Sequence, residues 1–382
     1  MTSPTIAVVG GGLAGLVLAR ILQQHGVRPT VYELDLTPDT RRQGGLLDLH
    51  EDSGQLALRE AGLHEEFRRL TQPQGETMRV MDKAATVFID HEPEGGEGGR
   101  PEIDRTKLRS LLLNSLDEGQ VEWNHKLTSV RPRDDGRHEL IFTGGRTAVA
   151  DLVVGADGAW SRVRPLLSTV TPHYCGITYL DLLVTDAADR IPASAALVGP
   201  GSLFALSDHK NIGGHGGRDL HLGAALRVEA DWADRQGIDW SDASAARAVL
   251  LGEFADWDPR LTDLIRYCDD EIVLRQIFAL PTGHSWPRVP GVTLLGDAAH
   301  VMSPYAGEGA NAALQDGCEL ALALIKHGDD VESALEAYES AMFPRAASAA
   351  AQSAAGLELC FAADAPKGLV DFFGSMGVPV RG

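Results

Sequence analysis

The sequence predicts an α/β protein in which a parallel-sheet domain is interrupted by an inserted, mainly antiparallel β-sheet and is followed by C-terminal helices. Three observations predict this fold. A glycine-punctuated strand–helix–strand pattern opens the chain, strand-like segments predominate between residues 171 and 284, and alanine-rich helical sequence fills the end. Because strand–helix segments occur early, centrally and late, we expect the parallel-sheet domain to be discontinuous.

The N-terminal segment carries the clearest pattern. Residues 5–9 (TIAVV) are an apolar run that leads into three glycines, residues 13–25 repeat apolar positions at helical spacing, and residues 28–33 resemble a second strand. A pair of parallel strands needs such a crossover helix. The segment therefore predicts a β-α-β unit.

Periodicity and turn residues predict the remaining elements. Asp104 is placed to cap a helix, and the acidic glycine-rich segment 92–100 lacks the flanking strand and helix of a phosphate loop, so we interpret it as a flexible linker. The other predicted elements are one helix at 55–70, two strands at 77–90, a helix at 103–116, strands at 121–130 and 138–150, a helix near 243–254, a strand, loop and long helix across 292–325, and a short helix near 366–374.

These elements fall into three groups along the chain. We expect the parallel-sheet domain to comprise residues 1–72, 100–170 and 285–330, the inserted sheet to comprise residues 73–99 and 171–284, and a C-terminal helical segment to comprise residues 331–382.

Composition narrows the classes of partner. The formal net charge is −20, which disfavours nucleic acid and anionic membranes as partners. The four cysteines form no CxxC pair, which favours reduced thiols over a zinc site or a disulfide framework. No apolar run reaches the ~18 residues of a membrane helix, and the N-terminus lacks the basic and cleavage segments of a signal peptide. We expect a cytoplasmic protein.

The glycine run has the spacing of a dinucleotide-binding turn. Gly10, Gly12 and Gly15 fit G-x-G-x-x-G between a strand and a helix, where they allow a tight turn, a close approach to a pyrophosphate and close helix–strand packing. The helix N-terminus favours phosphate charge. Glu33 follows the second strand and is placed to accept hydrogen bonds from an adenosine ribose. The pattern predicts a Rossmann-type domain that binds FAD or NAD.

Two further motifs decide between these cofactors. Gly296-Asp297 follows an apolar strand and precedes a long helix, and Asp157-Gly158 lies in the segment GADGAWSRVR. In this order and spacing, the motifs resemble the class A FAD-dependent monooxygenases of the p-hydroxybenzoate hydroxylase family. The resemblance implies an FAD-binding domain in which Asp297 binds the ribitol chain and Asp157 serves both FAD and NAD(P)H. For His300 we prefer a role in fixing its loop to a role as a catalytic base.

Longer segments resemble the tetracycline-inactivating subgroup of these enzymes. They are RRQGGLLD at 41–48, PEIDRTKLRSLLLNSL at 101–116 and HVMSPYAGEGANAAL at 300–314. The resemblance implies FAD contacts from Asp48 and Arg105 and an NADPH contact from Arg41. Together, the expected cofactor-binding residues are Gly10, Gly12, Leu13, Ala14, Gly15, Glu33, Arg41, Asp48, Arg105, Asp157, Gly158, Gly296, Asp297, Gly307, Gly309, Ala310 and Asn311.

The substrate side departs from that subgroup. Asp181 and Ser202 stand where the subgroup carries a glutamine and an arginine, which argues against tetracycline itself as the substrate. Alternation places Asp219, His221 and Gly223 on one face of a strand. The expected substrate-binding residues are Asp181, His221, Gly223, Pro304, Tyr305 and Gly307.

The resemblance implies an activity as well as a fold. It implies hydroxylation of a small aromatic or polycyclic substrate with NADPH or NADH and oxygen through a C4a-hydroperoxyflavin, with no protein nucleophile or metal, and with antibiotic modification as one biological setting. We expect a monomer or a weak dimer. Two alternatives stay open: a flavin oxidase or dehydrogenase, and a flavin-fold binding protein without turnover. The W-x-W-x-I-P signature of flavin halogenases does not occur in the sequence.

Overall fold

The computed structural model describes residues 4–40, 45–71, 77–92 and 99–381. The chain divides into two compact units. The first comprises Met1–Thr71, Ile103–His173 and Phe278–Ser353, and the second comprises Gln72–Glu102, Tyr174–Ile277 and Ala354–Gly382. Among the helices of the described residues, none is both long enough and apolar enough to cross a membrane.

The strands of the described residues are, in chain order, β1 Ile6–Val9, β2 Thr30–Tyr32, β3 Leu46–Asp48, β4 Met78–Met81, β5 Val87–His91, β6 Glu102–Asp104, β7 Val121–Glu122, β8 Leu127–Pro132, β9 His138–Phe142, β10 Thr147–Ala150, β11 Leu152–Gly155, β12 His173–Val184, β13 Ser202–Ser207, β14 Lys210–His215, β15 Leu220–Arg227, β16 Val273–Ala279 and β17 Val292–Leu294.

The helices of the described residues are, in chain order, α1 Leu13–Gln24, α2 Gly54–Glu60, α3 His64–Leu70, α4 Arg105–Asn114, α5 Ala187–Arg190, α6 Pro192–Val198, α7 Trp232–Arg235, α8 Ala243–Glu253, α9 Pro259–Arg266, α10 Asp297–His300, α11 Gly309–His327, α12 Val331–Cys360 and α13 Lys367–Ser375.

A five-stranded parallel sheet forms the centre of the first unit, in the order β17-β11-β1-β2-β7. Its central strands, β1 and β11, are buried along their whole length, which explains why they are continuous apolar runs. The core of this unit is built from these strands and the apolar faces of α1, α4 and α11. The strand β17 lies beside β11 although some 140 residues separate them in sequence, which makes the parallel sheet discontinuous along the chain.

A seven-stranded sheet forms the second unit, in the order β16-β12-β15-β14-β13-β4-β5. The pairs β12–β15, β14–β15, β13–β14 and β4–β5 are antiparallel, whereas β13 and β4 are parallel. One face carries Leu180, Leu222, Ile212 and Leu203, which pack in a core with residues of the helices α6, α8 and α9. The predicted α/β fold with an inserted, mainly antiparallel sheet and C-terminal helices is therefore confirmed.

Local structure corrects two predictions. The single helix predicted at 55–70 is two helices, because Gly62 has φ +68° and ends the helical run after α2, with Leu63 N donating to Leu58 O at 2.9 Å. Asp219 lies just before β15 rather than within it. The strand-rich segment also contains four short helices beyond the predicted one, namely α5, α6, α7 and α9.

The helical C-terminal residues divide between the two units. Residues up to Ser353 cluster with the parallel sheet, whereas Ala354–Gly382 cluster with the seven-stranded sheet. The boundaries proposed from the sequence, and the functions attached to each domain, stay predictions.

Candidate functional site

Four sequence motifs follow the carboxyl ends of four neighbouring parallel strands in the first unit. Gly10 follows β1, Glu33 follows β2, Asp157 follows β11 and Asp297 follows β17. In open parallel sheets, ligands bind in the crevice beyond the carboxyl ends of the strands. The topology therefore collects residues that are up to 287 positions apart in sequence at one edge of the sheet.

Close contacts bring the loops at these strand ends together. A Cβ added at Gly10 would lie 2.2 Å from the carbonyl oxygen of Ala156, and a Cβ added at Gly296 would lie 3.5 Å from the Cβ of Ala14. The helices α1 and α11 also touch, since a Cβ at Gly317 would lie 2.4 Å from Ala14 O. The glycine turn and the Gly296-Asp297 loop thus converge in space.

The three motif glycines differ in what surrounds them. Gly10 has φ +112°, and a Cβ at Gly15 would lie 2.3 Å from Gly10 O, so both positions require a residue without a side chain. Gly12 is different, because a Cβ there would meet no atom within 4 Å. Gly12 precedes α1, whose N-terminus receives no side-chain cap. The first-turn N–H groups of Leu13 and Ala14 therefore adjoin an open approach for an anion.

Glu33 is already engaged by the backbone of the glycine turn. Its Oε2 accepts from Gly11 N at 2.6 Å, and its Oε1 accepts from Asp35 N at 2.9 Å. Arg109, which is 4% exposed, donates from Nε to Gly11 O at 3.0 Å. Arg109 belongs to none of the motifs from which the site was predicted. These bonds hold the turn between β2 and α4 and leave each carboxylate oxygen of Glu33 a further lone pair for a ligand.

The Asp157-Gly158 motif is linked to the Gly296-Asp297 loop by one buried arginine. Arg164 donates from Nε to Ala298 O at 2.8 Å and from Nη2 to Ala159 O. Burial lowers the pKa of Arg164, while the nearby charges of Asp157 and Asp297 raise it. Arg164 lies within the quoted segment GADGAWSRVR, and that position was the signal that could have identified it.

Asp157 itself has one satisfied and one unsatisfied oxygen. Arg162 N donates to Oδ2 at 2.6 Å, whereas Oδ1 is buried and has no hydrogen-bond partner among the described residues. Burial raises the pKa of the Asp157 carboxyl, because desolvation disfavours its charged form. A buried oxygen without a partner marks a place for a ligand hydrogen-bond donor.

Asp297 is the exposed residue in a buried loop. The residues from Val292 to Gly296 and from Ala298 to His300 are buried, while the Asp297 side chain is exposed and makes no hydrogen bond with any described residue. Gly296 has φ +59°, a backbone geometry that glycine adopts without strain. The loop therefore presents one carboxylate to a ligand.

A buried ionic network stabilises the Gly296-Asp297 loop. Asp316, which is fully buried on α11, accepts from Gly296 N at 2.8 Å and pairs with His300 Nε2 at 2.6 Å. Arg345 donates to its other oxygen at 2.7 Å and also pairs with Glu319. The pKa of Asp316 is lowered by His300 and Arg345 against the effect of burial. His300 thus fixes its loop, which matches the preferred interpretation.

Asn311 joins the N-terminus of α11 to the segment around β3. The completely buried amide accepts from His50 N at 2.9 Å and donates to Asp48 O at 2.9 Å and to Gly307 O at 3.2 Å. A Cβ at Gly307 would lie 3.4 Å from the Asp48 carboxylate. The structure therefore brings together Asp48, Gly307 and Asn311, with Gly309 and Ala310 in the uncapped first turn of α11.

Of the two arginines predicted to bind a cofactor, Arg105 lies within the described residues and Arg41 does not. Arg105 begins α4, and its guanidinium forms no hydrogen bond or ion pair with the described residues, so it is available to a ligand. Arg41 lies outside the described residues.

The expected substrate residues lie in both units. Pro304, Tyr305 and Gly307 are in the first unit, between α10 and α11. The others share one face of the seven-stranded sheet in the second unit, where Asp181 pairs in register with Gly223 and Leu183 pairs with His221.

Two of the sheet residues already have partners. The carboxylate of Asp181 forms an ion pair with Arg275. The ring of Tyr179 lies against Gly223, where a Cβ would meet its Cζ at 1.9 Å. Gly223 therefore makes room for the ring of Tyr179, a residue that the sequence analysis missed.

The strand-end residues fit FAD by the chemistry of their atoms. The open space at Gly12 can receive a pyrophosphate, and the exposed Asp297 carboxylate can accept hydrogen bonds from sugar-type hydroxyls. Asp157 Oδ1, which has no partner among the described residues, can accept a hydrogen bond from a ligand. Unsatisfied N–H groups at the start of α11 suit a negatively charged ring edge.

Comparisons with known proteins agree with this geometry. A family model described as FAD binding domain matches residues 3–195 and 287–353. The chain is 30% identical over 409 residues to monooxygenase asqM of Emericella nidulans, covering 89% of this chain and 92% of that protein. It is 33% identical over 353 residues to 3-amino-4-hydroxybenzoate 2-monooxygenase PtmB3 of Streptomyces platensis, covering 90% and 85%.

Solved structures share the fold. HpxO of Klebsiella pneumoniae, complexed with FAD and uric acid, superposes with a TM-score of 0.80 at 20% identity, covering 97% of this chain and 92% of that chain. Tetracycline destructase Tet(51) superposes with a TM-score of 0.70 at 21% identity, covering 98% and 95%.

Proposed function

The chain belongs to the FAD-binding domain family and is an FAD-dependent monooxygenase, and we propose that it hydroxylates a small aromatic or polycyclic substrate with electrons from NAD(P)H. The observation that carries the proposal is the convergence of the glycine turn, Asp157 and Asp297 at one edge of the parallel sheet. The name of PtmB3 specifies an aminohydroxybenzoate, and the structure of HpxO contains uric acid. Both compounds contain a ring, which supports a ring compound as the substrate of this chain.

The residues of the first unit have distinct roles in holding the cofactor. Gly12 and the first turn of α1 receive the pyrophosphate, Glu33 receives the adenosine ribose, and Asp297 receives hydroxyls of the ribitol chain. The first turn of α11 and the surrounding residues Gly307 and Asn311 would hold the ring system of the cofactor.

FAD supplies the redox chemistry and the activation of oxygen when it is bound. The protein contributes orientation and charge. The unsatisfied N–H groups of α11 favour negative charge at the ring edge, and Asp316 fixes the Gly296-Asp297 loop through a buried hydrogen bond to Gly296 N. No side chain of the site is assigned as a nucleophile.

We place the transient NAD(P)H site over the Asp157-Gly158 motif. Trp160 is 59% exposed, and its ring packs edge-on against Phe278 with centroids 5.0 Å apart. Arg162 is exposed two residues further along the chain. An exposed aromatic ring next to a cation suits a nicotinamide or adenine ring with its phosphates. We also propose that Arg41, which lies outside the described residues, contacts NADPH.

The proposed substrate-binding residues of the first unit are Pro304, Tyr305 and Gly307, in the loop before α11. Those of the second unit are Asp181, His221 and Gly223, on one face of the seven-stranded sheet. Four free cysteines, three of them buried, support a reducing compartment such as the cytoplasm.

Flavin loading and oxygen labelling test the proposal. Purified protein incubated with FAD and freed of excess should stay yellow, and phenolic compounds should stimulate its oxidation of NADPH. With isotopically labelled oxygen, label should enter the organic product. A protein that retains no flavin contradicts the proposal. Hydrogen peroxide as the sole oxygen product, with no label in the organic product, identifies an oxidase instead.

A further inference from the structure

The outer strand of the seven-stranded sheet has one edge that no other strand of the described residues covers. The sheet ends at β5, and β5 pairs with β4 along its inner edge. An outer strand presents backbone N–H and C=O groups that a strand of another chain can bind, so proteins usually protect such an edge. The outer edge of β5 therefore needs a covering element.

The pairing of β5 with β4 is irregular at Phe88. On β4, Val80 pairs with Ile89, and the next residue, Met81, pairs with Val87. Phe88 lies between these pairs and has no residue opposite it. Such an extra residue interrupts the ladder of hydrogen bonds and increases the local twist of the strand. The irregularity makes β5 a poorer template at this point, and it leaves the Phe88 carbonyl for another partner.

That partner is the segment 378–381, which we call the C-terminal strap. The chain turns at the end of α13, where Gly377 has φ +90° and Val378 N donates to Phe373 O at 3.1 Å. This is the Schellman arrangement that commonly ends a helix. Three residues later, Arg381 N donates to Phe88 O at 2.7 Å. The strap thus satisfies the carbonyl of the extra residue in β5.

A carboxylate of β5 also holds the strap. Asp90 Oδ2 accepts from Arg381 Nη2 at 2.7 Å, and Asp90 Oδ1 accepts from Arg79 Nε at 3.1 Å. Arg79 pairs with Asp90 in register and also donates to the carbonyl oxygens of Ala196 and Leu197. Asp90 therefore lies between an arginine that belongs to the sheet and an arginine that belongs to the strap.

The attachment of the strap is weak enough to be reversible. Among the described residues, one backbone hydrogen bond and one ion pair connect the strap to β5. The side chain of Arg381 is 59% exposed and that of Asp90 is 31% exposed. Ion pairs at such positions contribute little to stability and are screened by salt. The strap can consequently detach while the β4–β5 pairing stays intact.

We propose that the outer edge of β5 is a strand-pairing surface for a second copy of this chain, and that the C-terminal strap covers it. Two copies of one strand can pair antiparallel about a two-fold axis, because each then presents the same groups to the other. The strand VFIDH suits this pairing, since Val87, Phe88 and Ile89 favour extended structure and Asp90 is its one acidic residue. Arg381 occupies the edge first, which keeps the copies apart.

Light scattering across a concentration series tests this surface. The full chain is compared with a variant that lacks residues 378–382. We expect the shortened chain to reach half association at a concentration about tenfold or more below that of the full chain, because its β5 edge is open. Arg381→Gln removes the ion pair with Asp90 and leaves the backbone of the strap in place, so it should shift association in the same direction by a smaller factor.

Hydrogen exchange identifies the strand that makes the contact. The amides of Val87–His91 should gain protection as the shortened chain associates, since a second copy of β5 then bonds the outer edge. Lys367→Gln is the matched control, because it removes another exposed ion pair, between Lys367 and Asp371 on α13, and leaves the strap unchanged. It should associate no more readily than the full chain.

Three outcomes would overturn the proposal. They are a shortened chain that keeps the mass of the full chain across the series, association that leaves the exchange of the β5 amides unchanged, and a Lys367→Gln variant that associates as readily as Arg381→Gln. Circular dichroism checks that each variant folds. Should the shortened chain not fold, the comparison of Arg381→Gln with Lys367→Gln decides.

Discussion

Asn311 Nδ2 lies 2.9 Å from the carbonyl oxygen of Asp48, a residue 263 positions earlier in the chain. The same amide accepts from His50 N through Oδ1, so one side chain satisfies backbone groups on both sides of Leu49. A Cβ at Gly54 would come within 2.5 Å of that oxygen. The start of α11 and the segment after β3 are thus fixed to each other by a single buried residue.

Replacing Asn311 should weaken both folding and flavin binding. Asn311→Ala leaves buried backbone groups at Asp48 and His50 without partners, so we expect a loss of about 1–3 kcal/mol in the free energy of unfolding. Chemical denaturation and FAD titration by fluorescence measure the two effects. Gln315→Ala on the same helix, where the side-chain amide donates to Glu319, is the matched control. Equal behaviour of the two variants would contradict the role given to Asn311.

Alanine at two glycines of the same motif should give opposite results. Gly15→Ala places a Cβ 2.3 Å from Gly10 O and should destabilise the protein by about 1–3 kcal/mol. Gly12→Ala meets no protein atom, so it should cost at most about 1 kcal/mol, the scale of an N-cap change, but should obstruct the pyrophosphate. Thermal unfolding and FAD affinity measured for both variants check this. A Gly12→Ala variant with normal affinity for FAD would contradict the assignment of the pyrophosphate site to Gly12.

Asp297 should affect flavin affinity more than it affects stability. Its carboxylate is exposed and makes no bond with the described residues, so Asp297→Asn removes no protein contact. Loss of a charged hydrogen-bond acceptor for the ribitol hydroxyls should weaken FAD binding about tenfold or more. Equilibrium dialysis measures the affinity. Asp134→Asn, an exposed aspartate in the turn between β8 and β9, should bind FAD normally.

The His300–Asp316 pair predicts a pH dependence of stability. Asp316 raises the pKa of His300 above the ordinary histidine value of 6.5, against the effect of burial. A raised folded pKa stabilises the protein below the unfolded value, and this contribution is lost as the pH rises through the folded value. The difference in unfolding free energy between the native protein and His300→Gln should therefore be larger at about pH 6 than at about pH 9.

The lowered pKa of Asp316 acts at the other end of the pH range. Its contribution is present above the ordinary aspartate value of 3.8 and is lost as the pH falls through the lower folded value. Urea unfolding at a series of pH values measures both limits. His25→Gln, which replaces an exposed histidine at the end of α1, is the matched control. A difference for His300→Gln that stays constant across the series would contradict the ion-pair assignment.

Trp160 should matter for NAD(P)H and little for folding. It is exposed, so Trp160→Ala should change stability by no more than about 0.5 kcal/mol. Loss of ring stacking should raise the KM for NADPH about three- to tenfold while leaving FAD affinity unchanged. Steady-state kinetics of NADPH oxidation measure this. Tyr267→Ala, which replaces another exposed aromatic residue, directly after α9, serves as the control, and equal KM values for the two variants would exclude the proposed docking place.

The sequence by itself determined the strand ends and their chemistry. Glycine spacing at Gly10, Gly12 and Gly15, and the short motifs at Asp157 and Asp297, are local signals because tight turns and helix starts demand particular residues. The likeness of the chain to FAD-dependent monooxygenases was therefore predictable, and so were the discontinuous parallel sheet and the inserted antiparallel one. The break between α2 and α3 at Gly62 had a local signal that periodicity concealed.

Only the tertiary structure decided which distant residues support the site. Arg109 bonds Gly11, 98 residues away, and Asp316 pairs with His300, 16 residues away, and nothing in their immediate neighbours distinguishes the two from surface charges. A hydrogen bond depends on positions in space, and those positions are set by which strands become neighbours in a sheet. The sequence therefore specified the residues that face the ligand, whereas the packing of the chain selected those that hold them in place.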